Sequence, residues 1–154
     1  MKLLNTIVTT SLLLFSVGIS ANKVESAKPT DIVVYRSPTC GCCEKWVDHL
    51  KQNNFNVQDI VTDDVQAIKN KYGVSEDMSS CHTAIVDGYV VEGHVPAADI
   101  ASMLKAKPKI IGIAVPGMPK GTPGMEMGGR KDRYNVMSFD RDRRYEIFNN
   151  HEND

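Results

Sequence analysis

Three of the four cysteines in this chain stand within four residues, Cys40-Gly41-Cys42-Cys43, where a β-branched run gives way to an amphipathic helical pattern. The fourth, Cys81, is followed at once by His82 and then by another hydrophobic run. Thiols crowded at a strand–helix junction carry either redox chemistry or a soft metal. Cys40 and Cys43 have CxxC spacing, which lets two sulfurs across the first turn of a helix reach each other. A dithiol needs only two sulfurs, so the extra Cys42 points to a cluster of thiolate ligands. A helix N-terminus stabilises thiolate, which predicts partial ionisation of Cys42 and Cys43 near neutral pH.

The 154 residues suffice for one domain with its own core. A net charge of -1 offers no basic field for nucleic acid. Met1-Lys2 followed by an uncharged apolar run over 3–19 reads as a secretory signal peptide, and small residues at its end permit cleavage. No positive cluster follows as a stop-transfer flank, so no stable membrane anchor is expected. The organisation read from the chain is a signal peptide at 1–21, cut between 20 and 27. A single domain follows at 28–150, with a C-terminal extension from about 108. Export places the cysteines in an oxidising compartment, where four can form two structural disulfides in three pairings. Adjacent Cys42 and Cys43 bond to each other badly, and bunched thiols clamp little of the chain.

Residues 31–35 are a β-branched strand closed by Ser37-Pro38-Thr39. Apolar Cys43, Trp46, Val47 and Leu50 then repeat with helical spacing to about Asn53. A strand is predicted over 55–61 and a helix over 65–72, closed by Gly73. Strands at 83–86 and 89–92 flank Asp87-Gly88, a hairpin signal. Pro96 opens a helix to about Ala106 whose buried face is Ile100, Met103 and Leu104. Further on come a strand at 110–115, a Gly/Pro/Met-rich loop at 116–129, and a hairpin of 134–139 with 144–148. The fold class is α/β: a thioredoxin-like mixed sheet with flanking helices and a C-terminal β-rich extension carrying the Met/Gly/Pro loop.

Over roughly 31–105 the element order resembles thioredoxin. In that family a cis-proline before threonine faces the CxxC; here His82-Thr83 stands there, with Cys81 before it. The resemblance implies that a shield has become a ligand pair. Four segments are more specific than the fold: Ser-Pro-Thr-Cys-Gly-Cys-Cys, Cys-His-Thr-Ala, Val-Glu-Gly-His-Val-Pro-Ala and Val-Pro-Gly-Met-Pro-Lys-Gly-Thr-Pro-Gly-Met-Glu. Together they look like the exported, copper-associated, CopG-like thioredoxin-like family, formerly a domain of unknown function. That resemblance implies a periplasmic protein of copper resistance whose partners are copper ions and other periplasmic copper-handling proteins.

Residue chemistry points the same way, because thiolate and thioether select Cu(I). The candidate metal ligands are Cys40, Cys42, Cys43, Cys81, His82, His94, Met118, Met125 and Met127, holding copper as Cu(I) or Cu(II), with a multinuclear Cu(I) cluster within their capacity. His94 is expected beside the Cys81-His82 corner as a ligand or the support of one. The methionine loop is expected to fold over the cysteines and bring Met118, and one of Met125 or Met127, near copper. Bland roles are expected elsewhere: His49 on a solvated helix face, His151 in a frayed tail, Met103 and Met137 in the core, Trp46 in packing, and Met78 open. Two alternatives stand. One is a thiol–disulfide oxidoreductase with Cys40 and Cys43 catalytic, so activity as a copper or thiol oxidoreductase is left open. The other is a structural zinc site of Cys40, Cys43, Cys81 and His82, which leaves Cys42 and the methionines unused.

Overall fold

The computed structural model describes residues 28–129 and 131–152. The expected signal peptide lies outside them. No helix among the described residues is long and apolar enough to cross a membrane. The elements are β1 (Thr30–Arg36), α1 (Gly41–Gln52), β2 (Phe55–Val61), α2 (Val65–Tyr72), a 3-10 turn (Glu76–Met78), β3 (His82–Val86), β4 (Tyr89–Glu92), α3 (Ala97–Ala106), β5 (Gly112–Ala114), β6 (Tyr134–Phe139) and β7 (Tyr145–His151). They build one mixed seven-stranded sheet in the order β2-β1-β3-β4-β5-β6-β7.

The β1–α1–β2 unit is a parallel crossover, and β3 pairs antiparallel to β1 on the other side. Asp87 and Gly88, both at positive φ, make the tight turn into β4. The alternation of side chains along each strand separates two cores. Ile32, Val34, Ala84, Val86, Val91, Ile113 and Val136 face α1 and α3, meeting Trp46, Val47, Leu50, Ile100 and Met103. Val90, Ala114 and Phe139 face the opposite side with Val74 and Met78. Met78 is therefore a core residue, and Met137 packs half-buried on the second core.

Three expectations are corrected. The regular part of β5 is three residues, not six, because its parallel partner β4 ends at Glu92 and turns away at Gly93, φ 73. Hydrogen bonds at Ile111 and Val115 continue the contact irregularly. The C-terminal strand runs on to His151 instead of fraying. Its ring stacks on Tyr134 at 4.8 Å, and its Nε2 lies 2.8 Å from Asp99 Oδ2 on α3. His49 is not a solvated side chain: its Nε2 accepts the backbone N–H of Ala97 at 3.1 Å. Pro96 caps α3 without a side-chain hydrogen bond, so His49 satisfies an N–H that would otherwise be left over at the helix start.

Trp46 ties α1 to the β4–α3 connection. Its ring is fully buried, and its Nε1–H donates to Val95 O at 2.8 Å. Trp46→Phe keeps most of the apolar contact and strands that carbonyl. Urea denaturation of the metal-free protein should show a loss of about 1–3 kcal/mol with an unchanged m value; a loss below about 0.5 kcal/mol would mean the bond contributes nothing net.

Candidate metal centre

β1 ends at Arg36, and Ser37-Pro38-Thr39 turns the chain so that Cys40 N–H donates to Ser37 O. α1 starts there with Cys40 at its cap and no side-chain oxygen on its first N–H groups. Across the sheet, Arg36 is the register partner of His82. This pairing sets Cys81, the residue before β3, opposite the start of α1. The sulfurs of Cys40, Cys42, Cys43 and Cys81 all lie within 4.8 Å of one another. Cys40 and Cys43 are joined as a disulfide, with Cα atoms 5.3 Å apart, while Cys42 and Cys81 are free thiols. Cys42 Sγ is 3.5 Å from Cys40 Sγ. The expectation of a thiolate at Cys43 is corrected in this state, because its sulfur is bonded.

A second cluster shares Cys81: one ligand atom each from Cys81, His82 and His94 lie within 4.8 Å of one another. Both imidazoles are fully buried. His94 Nδ1 lies 2.8 Å from Pro123 O, and a carbonyl can only accept, so Nδ1 carries the hydrogen. Nε2 therefore presents a lone pair, and it faces Cys81 Sγ at 3.1 Å. This is the arrangement by which a backbone carbonyl fixes the tautomer of a metal-binding histidine. His82 Nδ1 stands 3.5 Å from Cys81 Sγ, while its Nε2 is buried with no hydrogen-bond partner among the described residues. The His82 ring is packed between Trp46, centroids 4.3 Å apart, and His94, at 4.9 Å.

The electrostatics favour neutral groups throughout. Burial, helped by the neighbouring Cys42, pushes the Cys81 thiol up to about 11. Burial, then His94 and Lys69, holds His82 well below the ordinary histidine value. Burial also lowers His94, against the opposing pull of Pro123 O and Glu126. The corner thus holds neutral donors whose thiol surrenders its proton only when a cation arrives to compensate the charge.

The loop at 116–129 lies against this corner. Pro123 supplies the carbonyl to His94, and Gly124 approaches so closely that a Cβ there would stand 2.8 Å from both Cys42 O and Trp46 N. Gly124 has φ 84, so both space and conformation require glycine. The methionines divide: Met125 is buried, while Met118 and Met127 are 56% and 62% exposed. The loop's grip on the site is thus made by backbone, and two of its thioethers face solvent.

The sequence reading missed the polar group beneath the corner. Glu92 is fully buried and pairs with the buried Lys69 of α2. Thr83 Oγ1 donates to Glu92 Oε2 at 2.7 Å, and Ser80 N–H donates to Oε1 at 2.6 Å. Burial raises the Glu92 carboxyl, while Lys69, Thr83 and Ser80 all favour its ionised form. One signal was present in the sequence: Lys69 stands four residues after Val65 on the apolar face of α2, and Glu92 ends an otherwise hydrophobic strand.

A family model described as "Protein of unknown function, DUF411" matches residues 78–125, which include Cys81, His82, His94 and most of the loop. No curated protein matches. Two solved structures do, both titled copper resistance protein CopG. Form 2 is 46% identical with a TM-score of 0.76, covering 80% of this chain and 98% of that one. Form 1 is 47% identical with a TM-score of 0.75 and the same coverage. With identity at that level across nearly the whole of both structures, this chain belongs to the CopG copper resistance protein family.

Proposed function

We propose that this protein is an exported, periplasmic copper-binding protein of copper resistance that holds Cu(I) through Cys40, Cys42, Cys43 and Cys81, with His82 and His94. The observation that carries the reading is the convergence of the His94 Nε2 lone pair, with its tautomer set by Pro123 O, on Cys81 Sγ at 3.1 Å. Four sulfurs and two imidazoles in two clusters that share Cys81 are a soft donor set, which suits Cu(I) above harder cations. Thiolates shared between ions would let such a site hold more than one. A relative titled copper resistance protein supports the metal's identity.

The donor count depends on redox state. Taking up two electrons and two protons opens the Cys40–Cys43 disulfide, so the free thiols rise from the two at Cys42 and Cys81 to four. The disulfide also favours a second reading, thiol–disulfide exchange by Cys40 and Cys43. Turnover of a model dithiol by metal-free protein at a rate typical of dedicated oxidoreductases would support that reading instead.

Competition against a Cu(I) chelator should show more than one Cu(I) per reduced chain and no displacement by Zn(II). Protein with the disulfide intact should load fewer ions. Zero stoichiometry, or zinc displacing copper, overturns the proposal. Cys42→Ser should lose loading about as severely as Cys43→Ser; normal loading in Cys42→Ser returns the reading to a dithiol enzyme.

The pH dependence follows from Cys81. Its thiol is protonated at all pH values well below about 11, and a metal must displace that proton. Between pH 7 and 9 the apparent Cu(I) affinity should therefore rise with pH, by about tenfold per unit for each proton displaced. A flat profile, measured with a chelator whose own protonation is corrected for, would remove Cys81 from the ligand set.

Replacing Met118, Met125 and Met127 together by leucine preserves bulk and removes the thioethers. A Cu(I) role in transfer or binding predicts slower exchange with a chelator or weaker affinity. Parent-like exchange and affinity would assign the site to cysteine and histidine alone.

A further inference from the structure

Cys81 lies just outside the sheet. β3 begins at His82, whose carbonyl accepts Gly93 N–H, so backbone pairing fixes His82 and the residue before His94. The segment 79–81 has no strand partner. Ser79 N–H bonds within the preceding 3-10 turn, and Gly117 of the methionine loop bonds Ser79 O and Ser80 Oγ. The framework grips the backbone of this segment through Glu92 Oε1, which accepts Ser80 N–H at 2.6 Å.

The same carboxylate reaches past Cys81 and His82 to Thr83, accepting its hydroxyl at 2.7 Å on Oε2. It thus brackets Cys81 and His82 from either side. Glu92 is itself two residues before His94, and its backbone carbonyl accepts Val115 N–H at the root of the loop. Lys69 closes the arrangement from α2, donating to Glu92 and, at 3.1 Å, to Thr83 Oγ1. Thr83 and Glu92 are cross-strand partners whose side chains face α2, on the side of the sheet opposite Trp46 and His82. The bracket therefore braces the corner from behind and occupies none of the space a metal needs.

A buried ion pair is a poor choice for stability alone, because matched hydrophobic residues usually do as well or better. Its value lies in geometry: every polar atom of the group has a partner, which leaves it one arrangement. We propose that the Lys69–Glu92 pair is a positioning device that holds Cys81 at fixed distance from His82 and His94 for copper capture. The inference rests on the copper reading for its function, but the placement of Cys81 is testable without metal.

Two double variants separate geometry from packing. Lys69→Met/Glu92→Leu removes both charges, keeps volume and leaves Ser80 N–H without an acceptor. Lys69→Met/Glu92→Gln is equally neutral but retains an amide oxygen for Ser80 N–H and an amide N–H for Thr83 Oγ1. Each is compared with the parent for Cu(I) affinity by chelator competition, and for the alkylation rate of Cys81 in metal-free protein by peptide mapping at constant pH. The leucine variant should lose about tenfold or more in Cu(I) affinity, the scale at which groups supporting metal ligands act. Its Cys81 should alkylate several times faster, with a thermal midpoint no lower than the parent's. The glutamine variant should stay near the parent on both counts.

Parent-like affinity and alkylation in the leucine variant overturn the inference, as does a glutamine variant that fails as badly as leucine. If the parent itself binds no Cu(I), the copper reading falls, and the Cys81 rates alone decide whether the bracket positions that residue. If the leucine variant does not fold, Thr83→Val frees one carboxylate oxygen while leaving the ion pair. An unchanged Cys81 rate there overturns the proposal, and a faster one supports it.

Discussion

Everything at this site depends on the antiparallel pairing of β1 with β3. Arg36 is matched with His82 and Tyr35 with Thr83, so the end of one strand stands beside the start of the other. The first strand runs straight on into the Cys40–Cys43 segment, and the other is entered from Cys81. A slip of one residue would turn His82 to the α2 side and Thr83 towards Trp46. The sulfurs would then be divided between the two faces of the sheet. The register is held because both faces are buried: Val34 and Ala84 belong to the core under α1 and α3, while Ile85 packs on the other. The site inherits its accuracy from the hydrophobic pattern of two strands, of which β3 alone carries a proposed ligand, His82.

On that frame the corner is assembled from groups that stay neutral until a cation comes. Burial raises the Cys81 thiol and lowers both imidazoles, so each effect opposes charge. Such a site repels protons from histidine and retains them on sulfur. A monovalent soft cation fits this balance well, since one thiolate neutralises it and imidazole adds a lone pair without adding charge. A divalent ion would need two thiolates to reach the same neutrality, which with Cys40 and Cys43 bonded requires both Cys42 and Cys81 to ionise. The disulfide therefore bears on charge balance as well as on ligand number.

The sequence displayed those features whose causes are local. β2 and α2 appear at 55–61 and 65–72 as their periodicity and the Gly73 stop predict, and Asp87-Gly88 makes its turn. The cysteine cluster was legible because three thiols in four residues have no packing reason. What was illegible came from partners far along the chain. His49 meets the start of α3 48 positions away, and His151 reaches Asp99 across 52. No periodicity encodes such pairs. Lys69 and Glu92 are 23 apart, and each looks merely misplaced until the other is set beside it. Whether Cys40 and Cys43 stand as thiols or as a disulfide has no sequence signal at all, because CxxC spacing permits both.

The loop at 116–129 meets the corner through backbone atoms that its motif does not advertise. Its methionines draw the eye to sulfur, yet Pro123 O and the Gly124 backbone also meet the corner. Proline ends the run that reaches His94, and glycine with φ 84 lets the chain lie on the first turn of α1, which no larger residue could do. The glycines and prolines thus help shape the site: Pro123 O fixes the His94 tautomer, and Gly124 lies against the Cys42 carbonyl. Exposure leaves Met118 and Met127 free of that task. Under the proposed copper role, a neutral, exchangeable thioether in solvent is suited to contact Cu(I) without competing with the thiolates.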